Sequence, residues 1–157
     1  MEDIIDKKVI IVNGSNLSNI QVNIEPIKNV TSIKLLEVYA DSGTIGTNLE
    51  TVYMFINDYG LKTLYDNNNY KHGINVFNNI TFYPNCNKNE CNNTGIISDF
   101  NLDTQNYVFN PIVGDLNRLN ISFKKYDFES NILENHKLHK FSLELCIYSK
   151  RMKVTMF

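Results

Sequence analysis

At 157 residues the chain is the length of one domain, long enough to bury roughly 70% of the surface its unfolded form exposes without a metal or disulfide staple. A composition of 43% hydrophobic and 20% charged residues, with nine Tyr and nine Phe, excludes a disordered chain. The net charge of −2 and pI near 5.9 exclude the long-range field of a nucleic-acid or anionic-membrane binder.

The opening "MEDIIDKKVIIV" is acidic, and its apolar run of four residues is too short for a signal peptide core or a membrane span. A protein made and kept in a reducing cytoplasm is therefore expected. Three cysteines, an odd number, fit free thiols better than a disulfide framework. Six Asn-x-Ser/Thr sequons, at Asn13, Asn16, Asn29, Asn79, Asn92 and Asn120, follow from the abundance of asparagine. They matter only in a secretory pathway.

Along the chain, period-2 segments alternate with turn-rich breaks. "KKVIIVNG" is a short apolar strand ending at Asn13-Gly14. In "NIQVNIEP", Ile20, Val22 and Ile24 alternate with polar residues until Pro26 stops the run. "VTSIKLLEVYADSG" fits a helical stripe as well as a strand, and its Thr, Val, Ile and Tyr content decides for strand. "TVYMFINDYG" and "NVFNNITFYP" are strand-like and end at Gly60 and Pro84. "NCNKNECNN", Asn85 to Asn93, reads as a long surface loop. "QNYVFNPI" is a weaker strand, followed by Leu119 to Lys125 and by Phe141, Leu143, Leu145 and Ile147 alternating with Ser142, Glu144, Cys146 and Tyr148. Cys146 reads as a small packing residue. These segments predict about eight antiparallel strands and no helix, in a single two-sheet sandwich of jelly-roll or Greek-key type spanning 1–157. Leu119, Ile121 and Phe123 are expected to face Phe141, Leu143 or Leu145 across the core.

Three patterns bear on chemistry. "VYADSGT", 38–44, has the shape of an aspartic-protease turn, in which Asp41 would share a proton with a second carboxylate to activate water. The competing reading is a β-turn shaped by Asp and Gly, and the chain lacks the Gly-rich flap of such a protease. Cys86 and Cys91 with His136 and His139 carry zinc-ligand chemistry, but their spacing fits no standard finger, and polar loop residues are the simpler reading. No Gly-x-Ser-x-Gly elbow and no Gly-rich phosphate loop is present. The residues thus call for no catalytic group, cofactor or metal. The basic run Lys150, Arg151, Lys153 is too small for a nucleic-acid surface.

"LNRLNISFKKYDFESN" followed by "HKLHKFSLELCI" resembles the closing strands of the single jelly-roll penton and minor capsid proteins of large eukaryotic DNA viruses, with His139, Phe141, Leu143, Glu144 and Leu145 on the pattern. "VIIVNGSNLSNIQVNIEPIKNVTSIKLLEVYAD" is similar to that family's opening strands, and "YMFINDYG" also matches. The sequence departs from the family where "NGSNLSN" replaces a charged Arg-Asp cluster, and where the Asp turn lacks its Gly. The resemblance implies a structural protein of a giant-virus capsid, assembled in the host cytoplasm. It would form a homopentameric penton at the fivefold vertex and contact the major capsid protein and other minor capsid proteins, without binding nucleic acid or inserting in a membrane. An interstitial minor capsid protein is the alternative within the family. Outside it, the alternative is a β-sandwich glycan or host-recognition module using Asp66 to Lys71 and Asn85 to Asn93. On the shell reading, 150–157 is expected to form a C-terminal arm, with Met152, Val154, Met156 and Phe157 as candidate inter-subunit contacts that add to a neighbour's open strand edge; the competing reading is that the tail extends its own last strand.

Overall fold

The structure, a computed structural model, describes residues 4–45, 50–66, 72–87, 90–96 and 106–151. The described chain is built of antiparallel strands and contains no helix. In order these are β1 (Ile4–Leu17), β2 (Asn19–Ile45), β3 (Glu50–Ile56), β4 (Lys62–Leu64), β5 (Ile74–Val76), β6 (Asn78–Asn87), β7 (Glu90–Ile96), β8 (Asn106–Asp127), β9 (Ile132–Asn135) and β10 (Leu138–Arg151).

Hydrogen bonding orders eight of them as β1-β10-β2-β7-β6-β3-β8-β9, and an additional β2–β8 pairing curls the sheet back on itself. Two long strands make the curl possible. Residues 19–34 of β2 pair with β8 from Ser122 back to Asn106, residues 30–41 pair with β10, and residues 40–45 with β7. One layer is thus β1, β10, the second half of β2 and the start of β8. The other is the first part of β2, the end of β8, β3 and β6. β4 and β5 form a separate two-stranded sheet.

The long strands correct two expected breaks. Pro26 does not end a strand: β2 continues through it, with a register shift between Asn23 and Ile27, the kind of irregularity at which a strand tolerates proline. A further shift between Val30 and Ser32 and a left-handed Asn29 (φ 57°) bend β2 from one layer into the other. Likewise "QNYVFNPI" and Leu119–Lys125 are halves of one strand, β8. The segment expected as a long loop is also largely strand. Asn85, Cys86 and Asn87 pair with Asn92, Cys91 and Glu90, so the hairpin β6–β7 runs almost to its tip.

The abundance of asparagine has a local role. All four described non-glycine residues with positive φ are asparagines: Asn16, Asn29, Asn57 and Asn131. An amide side chain bonds nearby backbone and so tolerates the left-handed region that other side chains avoid.

The core lies between the layers. Leu119, Ile121 and Phe123 of β8 are buried, as are Phe141, Leu143, Leu145 and Ile147 of β10. Phe123 meets Phe141 across the core with ring centroids 4.9 Å apart, as the alternation predicts. Each such side chain contributes roughly 1.5–3 kcal/mol by burial. Gly14 pairs with Phe141, and a Cβ there would run into the phenylalanine ring, so the bare backbone makes room for it. A second cluster closes one end, where Tyr59 stacks on Tyr107 at 4.8 Å and both meet Phe109 edge-on at 4.9 and 5.1 Å.

Candidate assembly surface

β1 lies at the end of the strand order and, among the described strands, pairs only with β10. Its residues alternate between faces. Val12 points into the core, while Ile5, Val9 and Ile11 stay exposed, Ile11 at 59%. Tyr39 of β2, 64% exposed, shares that outer face with Ile11, Glu37 and Glu144 around a shallow hollow. An apolar row along an edge strand is the feature that folded monomers ordinarily blunt with charge, proline or cover. Here the row carries Lys7 among its apolar members, its ammonium 5.7 Å from the Tyr148 ring.

Two open clefts lie elsewhere. One, of about 470 Å³, is bounded by the start of β1, the bend of β2 at Glu25–Asn29 and the end of β10. In it Arg151 donates to both carboxylate oxygens of Asp6, at 2.9 and 3.3 Å. The other, of about 390 Å³, lies along the β8–β9 hairpin from Lys125 to His136. Phe128 stands out from that hairpin at 83% exposure and meets Tyr126 edge-on at 4.8 Å. The Tyr126 hydroxyl donates to Asp66. Asp127 accepts from the Glu129 N–H at 3.0 Å and the Ser130 hydroxyl at 2.7 Å. These bonds, the serine's foremost, hold its carboxyl below the ordinary range.

Behind the second cleft is a buried polar group that no local pattern announces. Glu50, at the first position of β3, is 5% exposed. Its Oε1 lies 3.1 Å from Lys125 Nζ and 3.4 Å from His136 Nε2. Burial pushes the His136 imidazole down from its usual pKa; the Glu50 carboxylate opposes this and Lys125 adds to it. The partners are separated by some seventy-five to eighty-six positions in sequence, so only the β3–β8 pairing, Val52 with Lys125, brings them together. An ion pair with one buried member is costly to break, because the remaining charge is stranded in a poor solvent.

The residues singled out from sequence disperse. Asp41 lies within β2, paired with Lys140 and Thr94, and its Oδ1 accepts the Gly43 N–H at 2.9 Å. The left-handed Gly43 (φ 71°) completes a local Asx-type bend, which accounts for the Asp-Ser-Gly pattern. Cys86 and Cys91 are register partners in the β6–β7 hairpin, whereas His136 turns to Glu50. Among the described residues no group of three or more His, Cys, Asp or Glu is placed to hold a metal. Cys146 is a buried free thiol, consistent with packing. Met152, Val154, Met156 and Phe157, and most of the Asp66–Lys71 loop, lie outside the described residues.

Comparison of the sequence with protein-family models and with curated proteins finds no match.

Proposed function

We propose that the chain is a structural subunit of a large icosahedral virion shell, a penton-type jelly roll that assembles with itself into a fivefold ring and contacts the major capsid protein. The observation that carries the reading is the strand order. β1, β10, the second half of β2 and the start of β8 lie on one side, and the first part of β2, the second half of β8, β3 and β6 on the other, in one antiparallel sheet that curls back on itself. A curled all-β sheet of this kind is compatible with a jelly roll, whose strands divide between two sheets. The likeness of the first and last strands to single jelly-roll capsid proteins supplies the functional part.

Two physical features agree with it. The core cluster is built of hydrophobic side chains. On the surface, the edge strand exposes apolar residues among the described residues, as suits a subunit completed by neighbours. The test is mass spectrometry of purified shells with copy number. The reading predicts five copies per vertex; absence from intact particles contradicts it. Sugar binding by an isolated monomer on a glycan array would instead support the recognition-module alternative.

A further inference from the structure

We infer that the subunits join head to tail, with the acidic β8–β9 turn of one copy docked in the basic cleft at the opposite end of the next. This rests on the reading of the chain as a self-assembling subunit and names the surfaces involved.

The first cleft gathers Lys7, Lys8, Lys28, Lys150 and Arg151 against the carboxylates of Asp6 and Glu25, a surplus of three positive charges. The whole chain carries −2, so this positive end is a strong local departure. Sequence separates its members, since Lys7 and Lys8 come from β1, Lys28 from the bend of β2, and Lys150 and Arg151 from β10.

The second cleft has the opposite balance. Asp127, Glu129 and Glu134 line it, and the one lysine beside them, Lys125, already faces the Glu50 carboxylate at 3.1 Å. Three negative charges remain. The bonds from Ser130 and Glu129 to Asp127 favour its ionised form and hold the turn in shape. A docking loop that is already ordered loses less entropy on binding. At its tip Phe128, 83% exposed, is an aromatic anchor of the kind that dominates interface energetics. Pro26 and Ile27 in the basic cleft give it apolar surface to meet.

The two surfaces cannot meet within one molecule. β8 pairs Leu116 with Ile27 and Asp115 with Lys28 beside the basic cleft, and it ends at Asp127 in the acidic one. Eleven residues of strand separate them, roughly 36 Å at about 3.3 Å per residue. A contact between different surfaces of identical subunits is heterologous, and it closes into a ring when the rotation between copies permits.

The experiment reverses charge on exposed residues and reads self-association of the full chain by sedimentation velocity at low and high salt. Thermal melting serves as the folding control. One variant carries Lys8→Glu with Lys28→Glu, a second Glu129→Lys with Glu134→Lys, and a third all four changes. Each two-site variant should weaken association by about tenfold or more, since like charges then face each other, and the four-site variant should restore it to within a fewfold of the parent. Salt should weaken the parent's association, and Phe128→Ala should weaken it at unchanged melting temperature. Parent rings that tolerate every reversal overturn the inference and leave self-assembly standing. A parent that remains monomeric at all concentrations overturns both. If a short single-stranded oligonucleotide binds the parent, is lost with Lys8→Glu/Lys28→Glu, and self-association does not change, the cleft is an anion site and the inference fails.

Discussion

The second half of β8 and the edge strand β1 read almost alike in sequence and end in opposite environments. "LNISF" alternates Leu119, Ile121 and Phe123, all buried. "VIIV" is more apolar still, yet of its members only Val12 is buried. β8 has β2 and β3 hydrogen-bonded to its two edges and β10 packed across the core through Phe141. β1 has β10 on one side and none of the described strands on the other. Apolar content therefore marks where a strand forms, while the count of neighbours decides how much of it is covered. The uncovered remainder is what a further subunit can use.

Substitutions on the two strands should separate these roles. The largest effect is expected at Phe123→Ala, which removes a fully buried ring from the core and should cost about 3–5 kcal/mol in chemical denaturation. A silent Phe123→Ala would place the core elsewhere. Gly14→Ala lies on β1 but faces inward. Its added methyl meets the Phe141 ring, so a loss of about 1–3 kcal/mol is expected from overpacking, with partial recovery in the pair Gly14→Ala/Phe141→Leu. Lys125→Ala removes the cation beside the buried Glu50 and should cost about 1–3 kcal/mol, the lysine being itself half exposed.

The polar trio also makes stability depend on pH. Because burial lowers the pKa of folded His136 below the ordinary 6.5, the unfolded chain takes up this proton first as pH falls. Stability from this residue is full above about pH 6.5, declines as pH drops through that value, and levels off below the folded pKa. Denaturant titrations between about pH 7.5 and 5 should show the decline in the parent and a flatter profile in His136→Gln. The smallest effect is expected on the outer face of β1. Ile11→Ser should change subunit stability by less than about 0.5 kcal/mol while weakening self-association; a large loss of stability there would show that the row is covered within the subunit.

The same contrast explains what was legible beforehand. Period-2 alternation located the strands of the core, and the Phe123–Phe141 contact followed from it. Strand ends were harder to read. Pro26 and the segment between Phe109 and Leu119 look like stops, yet β2 and β8 cross them because register shifts absorb the irregular residues. The tip of the β6–β7 hairpin, Asn85 to Asn93, reads as a loop because asparagine, its main component, is depleted in strands. The Glu50, Lys125 and His136 cluster left no trace in any local window, and of the basic cleft only the Lys150–Arg151 part shows as a local basic run. Each is assembled from strands distant in sequence, so pairing had to be known before the residues could be seen as neighbours. Asp41 shows the converse. A short motif suggested a chemistry, and the hydrogen bond from Gly43 gives that motif a conformational purpose.

The claim that the chain is a subunit built to be completed by its own copies is tested most directly by native mass spectrometry of the purified protein across a concentration series. The account predicts a species of five times the 18.2 kDa chain mass that grows with concentration and dissociates in high salt. A folded monomer at every concentration would contradict it.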